Sequence, residues 1–591
     1  MLVDCPMTAK DASMGVEHNA LPSALADAVV AATVDWQAKN KVARLWDRDA
    51  SLWTGGDENL WLGWLDVMRQ QRASLVRLRN FARDVNGDGF TDVVLLGMGG
   101  SSLCSEVLRT AFGRLDGAPE LHILDSTDPA QVQRVEESVR LESALFIVAS
   151  KSGSTLETTL FEQYFFERVR RCVGTSRVGS RFVAITDPGS ALEQLAASKR
   201  FRATFHGVQT IGGRYSALSH FGMVPAVTMG INVSRLLDRA EAMAAMCGAA
   251  TAVANNPAVQ LGLLLGMAGL QGRDKVTVVT SPEICGFGCW LGQLLAESTS
   301  KNGHGLIPVY GEQLGPPSVY GDDRLFVYLR LDTTLDTKQD AAIKQLWTAG
   351  YPVIRLGLRD VYDVGAEFFR WEMATAVAGA VLGVNPFDQP DVEESKAATR
   401  HLMTEFENLG QLPHEEPVAR LEYDGGALAA YVNAGNAAAL SAEAAAGDLE
   451  ALVAMHCARL RRRDYLAVLA YVEMCGPHHE ILQQLRHRVR DTTRVATCLE
   501  YGPRFLHSTG QAYKGGPPTG VFLQLTCEDA HDLALPEQSF TFGVVKTAQA
   551  CGDFQRLSDL KRRALRLHVT GSVRQGLERV LELVERGLGY A

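Results

Sequence analysis

Several common features are missing from this chain of 591 residues. Its eleven cysteines are scattered, odd in number, and never stand in a CxxC pair. That excludes a disulfide scaffold and points to a reduced, cytoplasmic compartment. "CGFGC" (Cys285, Cys289) has a spacing that suits a metal, but no second ligand pair follows it. "PHHE" (His478, His479) reads as surface histidines, so no metal is expected. The opening "MLVDCPMTAKD" has an early acid and no apolar h-region, so no signal peptide is expected. The longest apolar run, "VQLGLLLGMAGL", is too short to span a bilayer. A basic face is also absent: the net charge is −10, with Arg and Lys spread along the chain, which excludes a nucleic-acid binder. The one dense basic run, "RLRRRDY", reads as the solvated face of a helix. There is no GxxxxGK[ST] loop, and "GMGGSS" lacks the third glycine of a dinucleotide fingerprint because position 102 is serine. No repeat of solenoid length recurs.

What remains is an ordinary globular composition, 46% hydrophobic and 21% charged. The chain is too long for one core. Residues 1–89 read as a helical segment rich in tryptophan, with the first twenty residues loosely packed. Residues 90–235 alternate apolar strands ("TDVVLLG", "LHILDS", "ALFIVAS", "RFVAITD") with helices. Residues 236–410 repeat the pattern with "DKVTVVTS", "RLFVYLRLD" and "YPVIRLGL". Such unbroken apolar strands belong to parallel sheets covered on both faces, so the fold class is α/β with two tandem units. Residues 411–591 read as a helical, mixed region. Its alanine-rich stretch from "GGALAAYV" to "LAVLAYVEM" is read as helix, "RVATCLEYG" and "GVFLQLT" as strands, and the charged tail as helix.

The strand "FIVAS" ends in a turn, "KSGSTLETT", that opens a helix. Ligands collect at the carboxyl ends of parallel strands. The unpaired N–H groups of a helix start favour an anion there. Ser150, Ser152, Ser154 and Thr155 add donors, and Gly153 permits a sharp turn. A plain N-cap needs one hydroxyl, so this turn reads as a phosphate cradle. "GMGGSS" (97–102) follows another apolar strand, and the two loops together suggest one small ligand held between them. Gln293 and Glu297 lie four apart in the apolar helix "WLGQLLAES", so they share a face, and the apolar surroundings weigh against an exposed helix glutamate.

"GMGGSSL", "SKSGSTLET", "GGRYSALSHFGMVPA" and "NPFDQPDVEESK" together resemble the glucose-6-phosphate isomerase family. "ASLWTGGDENLWLGWLD" and "AESTSKNGHGLIPVYGE" are most similar to the isomerase half of bacterial transaldolase–glucose-6-phosphate isomerase fusions, with no transaldolase half apparent. The resemblance implies two sugar-isomerase (SIS) domains of flavodoxin-like, three-layer form. It implies reversible conversion of glucose 6-phosphate and fructose 6-phosphate through a cis-enediolate, without metal or organic cofactor. Glu297 is then the base that moves the proton, and Arg214 a fixed charge for the enediolate. Lys396 is implied in ring opening and Gln389 in ligand binding. Gly100 and Ser101 close on the sugar, Gln293 joins them, and Ser150, Lys151, Ser152 and Thr155 hold the phosphate. The family's histidine is expected a few dozen residues after the glutamate, but His304 is the sole histidine in that stretch, and it stands in a loop. "FLHSTGQAYKGGPPTGVFLQLT" resembles the missing segment, so His507 is expected to serve from the C-terminal region. The resemblance also implies a homodimer as a candidate assembly, with the histidine from either subunit. Two other functions remain open: a non-catalytic sugar-phosphate sensor, and an isomerase for a related hexose phosphate. No nucleic-acid or membrane partner is expected.

Overall fold

The computed structural model describes residues 17–18, 21–334, 336–441 and 447–589. Apart from Glu17 and His18, the stretch expected to be loosely packed lies outside the described residues. Among them, no helix is long and apolar enough to cross a membrane.

In the described residues, sixteen strands form three sheets. Strand β1 (Glu17–His18) belongs to the second sheet. The first sheet uses β2 (Asp92–Gly97), β3 (Glu120–Leu124), β4 (Ala144–Ala149), β5 (Phe182–Thr186) and β6 (Ala203–His206) in the order β3-β2-β4-β5-β6. All of its pairings are parallel. Every residue of β4 and β5 is buried, as a sheet with helices on both faces requires. The second sheet uses β7 (Lys275–Thr280), β8 (Ile307–Val309), β9 (Arg324–Leu331) and β10 (Val353–Leu358) in the order β1-β10-β9-β7-β8. Only β1 runs antiparallel there.

The third sheet corrects the sequence reading. It contains β11 (Ala419–Tyr423), β12 (Gly426–Val432), β13 (Tyr465–Tyr471), β14 (Ala496–Tyr501), β15 (Gly520–Cys527) and β16 (Arg563–Gly571), ordered β11-β12-β16-β15-β13-β14. "GALAAYV" and "YLAVLAY" are therefore strands, although alanine and leucine favour helix. Burial overrides propensity: β13 is covered along its whole length and pairs with β14 and β15. The basic residues of "RLRRRDY" stand in a loop, not on a helix face, and Arg462 and Arg463 pair with Asp322, just before the central strand β9 of the second sheet.

The N-terminal helices pack on both of the first two sheets in one continuous core. "ENLWLGWL" is not the start of the following helix; it makes two 3₁₀ turns before the helix Val67–Gly87. Between the turns Leu62 bridges Ile211 and the Gly63 N–H donates to the Thr210 carbonyl, so the backbone pairs outside the segment there, and a Cβ on Gly63 would lie 2.2 Å from the Thr210 hydroxyl. Two smaller cores fasten the third sheet to the rest. One joins Phe161 and Tyr164 to Phe542, and the other joins Ala296, Ile307 and Val309 to Tyr465, Phe505 and Tyr513.

Candidate active site

The three sheets meet where the expected residues gather. After β2, Gly99 and Gly100 turn tightly because two other segments press on them. A Cβ on Gly100 would lie 2.2 Å from the Gly213 carbonyl oxygen, and one on Gly99 would lie 2.4 Å from the His507 carbonyl oxygen. This loop, with Ser101 half-buried at its tip, is thus wedged between the Arg214 segment and the His507 segment.

Arg214 is buried, and its guanidinium spends all five donors. Nε donates to Ser298 (2.8 Å), Nη1 to Gln389 Oε1 (2.7 Å) and Glu297 Oε2 (3.2 Å), and Nη2 to the carbonyls of Pro386 (2.7 Å) and Asp388 (2.9 Å). Gln389 is the residue just before the helix Pro390–Leu409, so one arginine ties three segments together. Glu297 lies inside the helix Gly286–Thr299 and is 5% exposed. Burial pushes its carboxyl above the ordinary carboxylate range, while Arg214 and Gln293 hold part of that shift back. Gln293 donates to Glu297 Oε1 at 3.5 Å and to the His507 carbonyl at 2.8 Å.

The turn after β4 is built as a polar cup. Ser150 is buried; its hydroxyl lies 3.0 Å from that of Thr155 and accepts from the Gly153 N–H at 3.1 Å. Gly153 has φ +70°, and Thr155 immediately precedes the helix Leu156–Val173. Ser152 is exposed and accepts from the Ser154 hydroxyl. Lys151 pairs with Asp187 and donates to the Gln209 carbonyl. The Lys396 amine is half-buried and donates to Glu393 at 2.8 Å, rather than to any other residue expected in the site. His304 is exposed.

His507 reaches this place from the loop after β14, in the same chain. Its Nε2 lies 2.8 Å from Glu157 Oε1, in the first turn of the helix Leu156–Val173. An ionised carboxylate only accepts, so Nε2 carries the proton and Nδ1 is left for a ligand. Burial alone would raise the Glu157 pKa. His507 facing it, with Lys396 beyond, outweighs burial and leaves it lowered. Glu157 was visible in "STLET", but its partner lies 350 residues away in sequence, so no local pattern announces the pair. Lys301 was also missed. Burial, with Arg214 nearby, pushes this lysine down to about 7, and it pairs with Asp388 at 3.1 Å.

Away from this site, Glu473, Cys475 and His478 place candidate ligand atoms within 4.8 Å of one another, but Arg134 pairs with that glutamate. The His478 Nδ1 faces the Glu473 carbonyl.

The sequence model of a family described as "Phosphoglucose isomerase" matches residues 56–303. That span holds both loops, Arg214, Gln293 and Glu297, and stops before Gln389, Lys396 and His507. A glucose-6-phosphate isomerase of Rubrobacter xylanophilus is 31% identical over 371 residues, which cover 54% of this chain and 84% of that protein. The chain belongs to the glucose-6-phosphate isomerase family. A second relative so named, from Thermosynechococcus vestitus, is 30% identical over 424 residues, covering 62% of this chain and 77% of that protein. The crystal structure of a hypothetical protein from Thermus thermophilus superimposes with a TM-score of 0.56 at 23% identity, covering 66% of this chain and 99% of that one. That likeness is one of fold.

Proposed function

We propose that this isomerase interconverts glucose 6-phosphate and fructose 6-phosphate, with its phosphate held at the turn after β4 and its first two carbons at Glu297. The observation that carries the reading is the buried Glu297 carboxyl on Arg214, linked through Gln293 and His507 to Glu157 on the helix that the hydroxyl-lined turn opens. Ser150, Ser152 and Thr155 offer hydroxyls, and the first N–H groups of the helix Leu156–Val173 add theirs. Lys151 adds a positive charge already balanced by Asp187. Gly100 and Ser101 close on the sugar, while Gln293 and Gln389 fix Glu297 and Arg214.

Isomerisation begins with ring opening. His507, oriented by Glu157, exchanges a proton with the ring through Nδ1, and Lys396 serves at the other ring-opening position once a substrate draws it from Glu393. Glu297 then takes the proton from one carbon and returns it to its neighbour. Its raised pKa suits a base that must also act as an acid. The two substrate oxygens take the place of Glu297 and Gln389 on Arg214 Nη1, which frees the carboxylate to take the proton and leaves the guanidinium facing the negative charge that then develops on those oxygens. All of these residues come from one chain, so one copy suffices for the chemistry. A homodimer would then add stability rather than a missing residue. The cytoplasmic location, the divisions near residues 89, 235 and 410, and the kinship with the isomerase half of transaldolase fusions belong to the same proposal.

Fructose 6-phosphate incubated with the protein in heavy water and EDTA should yield glucose 6-phosphate carrying deuterium at carbon 2. Glu297→Gln should lower turnover by about 10²–10⁴-fold. Full turnover by that variant would remove Glu297 from the reaction. Binding of fructose 6-phosphate without turnover by the wild type would favour a sensor instead.

A further inference from the structure

The Glu157–His507 pair does not stand alone. Gln549, on the helix Phe542–Asp559 that follows β15, is buried, and its Nε2 donates at 2.5 Å to Glu157 Oε1, the same oxygen that meets His507. The other end of that amide is fixed as well. Gln549 Oε1 accepts at 2.7 Å from the hydroxyl of Thr127, which is fully buried just after β3. The polarity is self-consistent. A carboxylate needs the NH₂ end, a donating hydroxyl needs the oxygen end, and a flipped amide would set two acceptors face to face.

The helix is held in place one turn earlier. Lys546 is buried and pairs with Asp128 at 3.0 Å and with Asp529. Thr127 and Asp128 are neighbours in the first-sheet unit, so two consecutive residues clamp two successive turns of a helix from the third-sheet unit. The amide serves two buried polar partners at once, which no apolar side chain could do. A buried amide costs free energy unless both ends are satisfied, and an apolar side chain of the same length would fill the space.

We infer that Gln549, oriented by Thr127, is a positioning residue that fixes the Glu157 carboxylate and through it the ring of His507. Gln549 touches neither sugar nor phosphate. It holds the oxygen that sets the tautomer and direction of the imidazole, so it links the packing of the third sheet to ring opening. The inference rests on the role proposed above for His507.

Three variants separate the inference from that role. Gln549→Leu keeps the bulk and removes both hydrogen bonds. Gln549→Glu keeps the shape but makes its contact with Glu157 only when the new carboxyl holds a proton. For closed-ring glucose 6-phosphate, the leucine variant should lose roughly tenfold in kcat with little change in KM, since misplacement rather than binding is affected. For an aldotetrose 4-phosphate, which is too short to close a ring, it should turn over like the wild type. The glutamate variant should be impaired at pH 8 and recover towards wild-type turnover as pH falls. A role in packing alone would impair both variants on the closed-ring and the open-chain substrate alike, whatever the pH. If the leucine variant does not fold, the isosteric glutamate variant carries the test alone. If His507→Ala is impaired on closed-ring substrate while both Gln549 variants match the wild type, this inference is wrong and the role of His507 stands. If His507→Ala also matches the wild type, the ring-opening role falls first.

Discussion

Arg214 is the residue on which the site turns. With every donor engaged and almost no exposure, it is a structural tie, and in the proposed reaction it is also the charge that receives the enediolate. A lysine there would keep the charge but lose the planar fork that reaches Gln389, Glu297 and two carbonyls together. Arg214→Lys should therefore lower kcat by about 10²–10³-fold, the cost of removing a fixed transition-state donor, and should also lower thermal stability. Steady-state kinetics beside a melting curve read both effects. Wild-type kcat in the variant would show that the guanidinium is only a tie. Glu297 and Arg214 were legible in the sequence through their motifs. Glu157, Gln549 and Lys301 were not, because a side chain reveals its task only through partners that the fold brings from elsewhere. For Gln549, that partner lies 392 residues away.

At the scale of elements, the turn after β4 is the proposed seat of the phosphate. Gly153 adopts φ +70°, and a Cβ there would also lie 2.7 Å from the backbone nitrogen of Leu192. Gly153→Ala should cost about 1–3 kcal/mol of backbone strain and open the cup formed by Ser150 and Thr155. The expected outcome is a KM for fructose 6-phosphate raised about tenfold, with weaker inhibition by inorganic phosphate. An unchanged KM would place the phosphate elsewhere. In the first two sheets β2–β5, β7, β9 and β10 could be read from sequence because each is an apolar run bounded by turn residues, whereas β1, β6 and β8, of two to four residues each, were too short to announce themselves. In the third sheet, β12 and β13 misled because they are built from alanine and leucine. Period and propensity could not distinguish them from buried helix, and only pairing with β15 and β16 makes them strands.

Across the whole molecule, the third sheet is what brings His507 to the other two. Its seam with the second unit contains a pH-sensitive contact. Glu500, on β14, is buried and accepts from Tyr310 at 2.6 Å and Tyr513 at 3.0 Å. Burial pushes its carboxyl up to about 7, with those hydroxyls opposing the shift. A carboxyl whose folded pKa exceeds its unfolded value near ~4.3 contributes stability below that value and loses it as pH rises towards the folded pKa. Wild type should therefore lose thermal stability between pH 5 and pH 8 by more than Glu500→Gln does, so the two melting temperatures, similar at pH 5 where the carboxyl is protonated, should separate as pH rises. Parallel pH dependence in the two proteins would show that Glu500 does not titrate across folding.

The most direct measurement is a crystal structure with a five-carbon aldonic acid 5-phosphate, whose carboxylate copies the two enediolate oxygens and whose phosphate copies that of the substrate. The phosphate should lie on Ser150, Ser152 and Thr155 at the start of the helix Leu156–Val173. The carboxylate should lie on Arg214 within reach of Glu297, with His507 of the same chain beside the sugar carbons. A phosphate bound away from that turn, or a carboxylate out of reach of Glu297, would contradict the account.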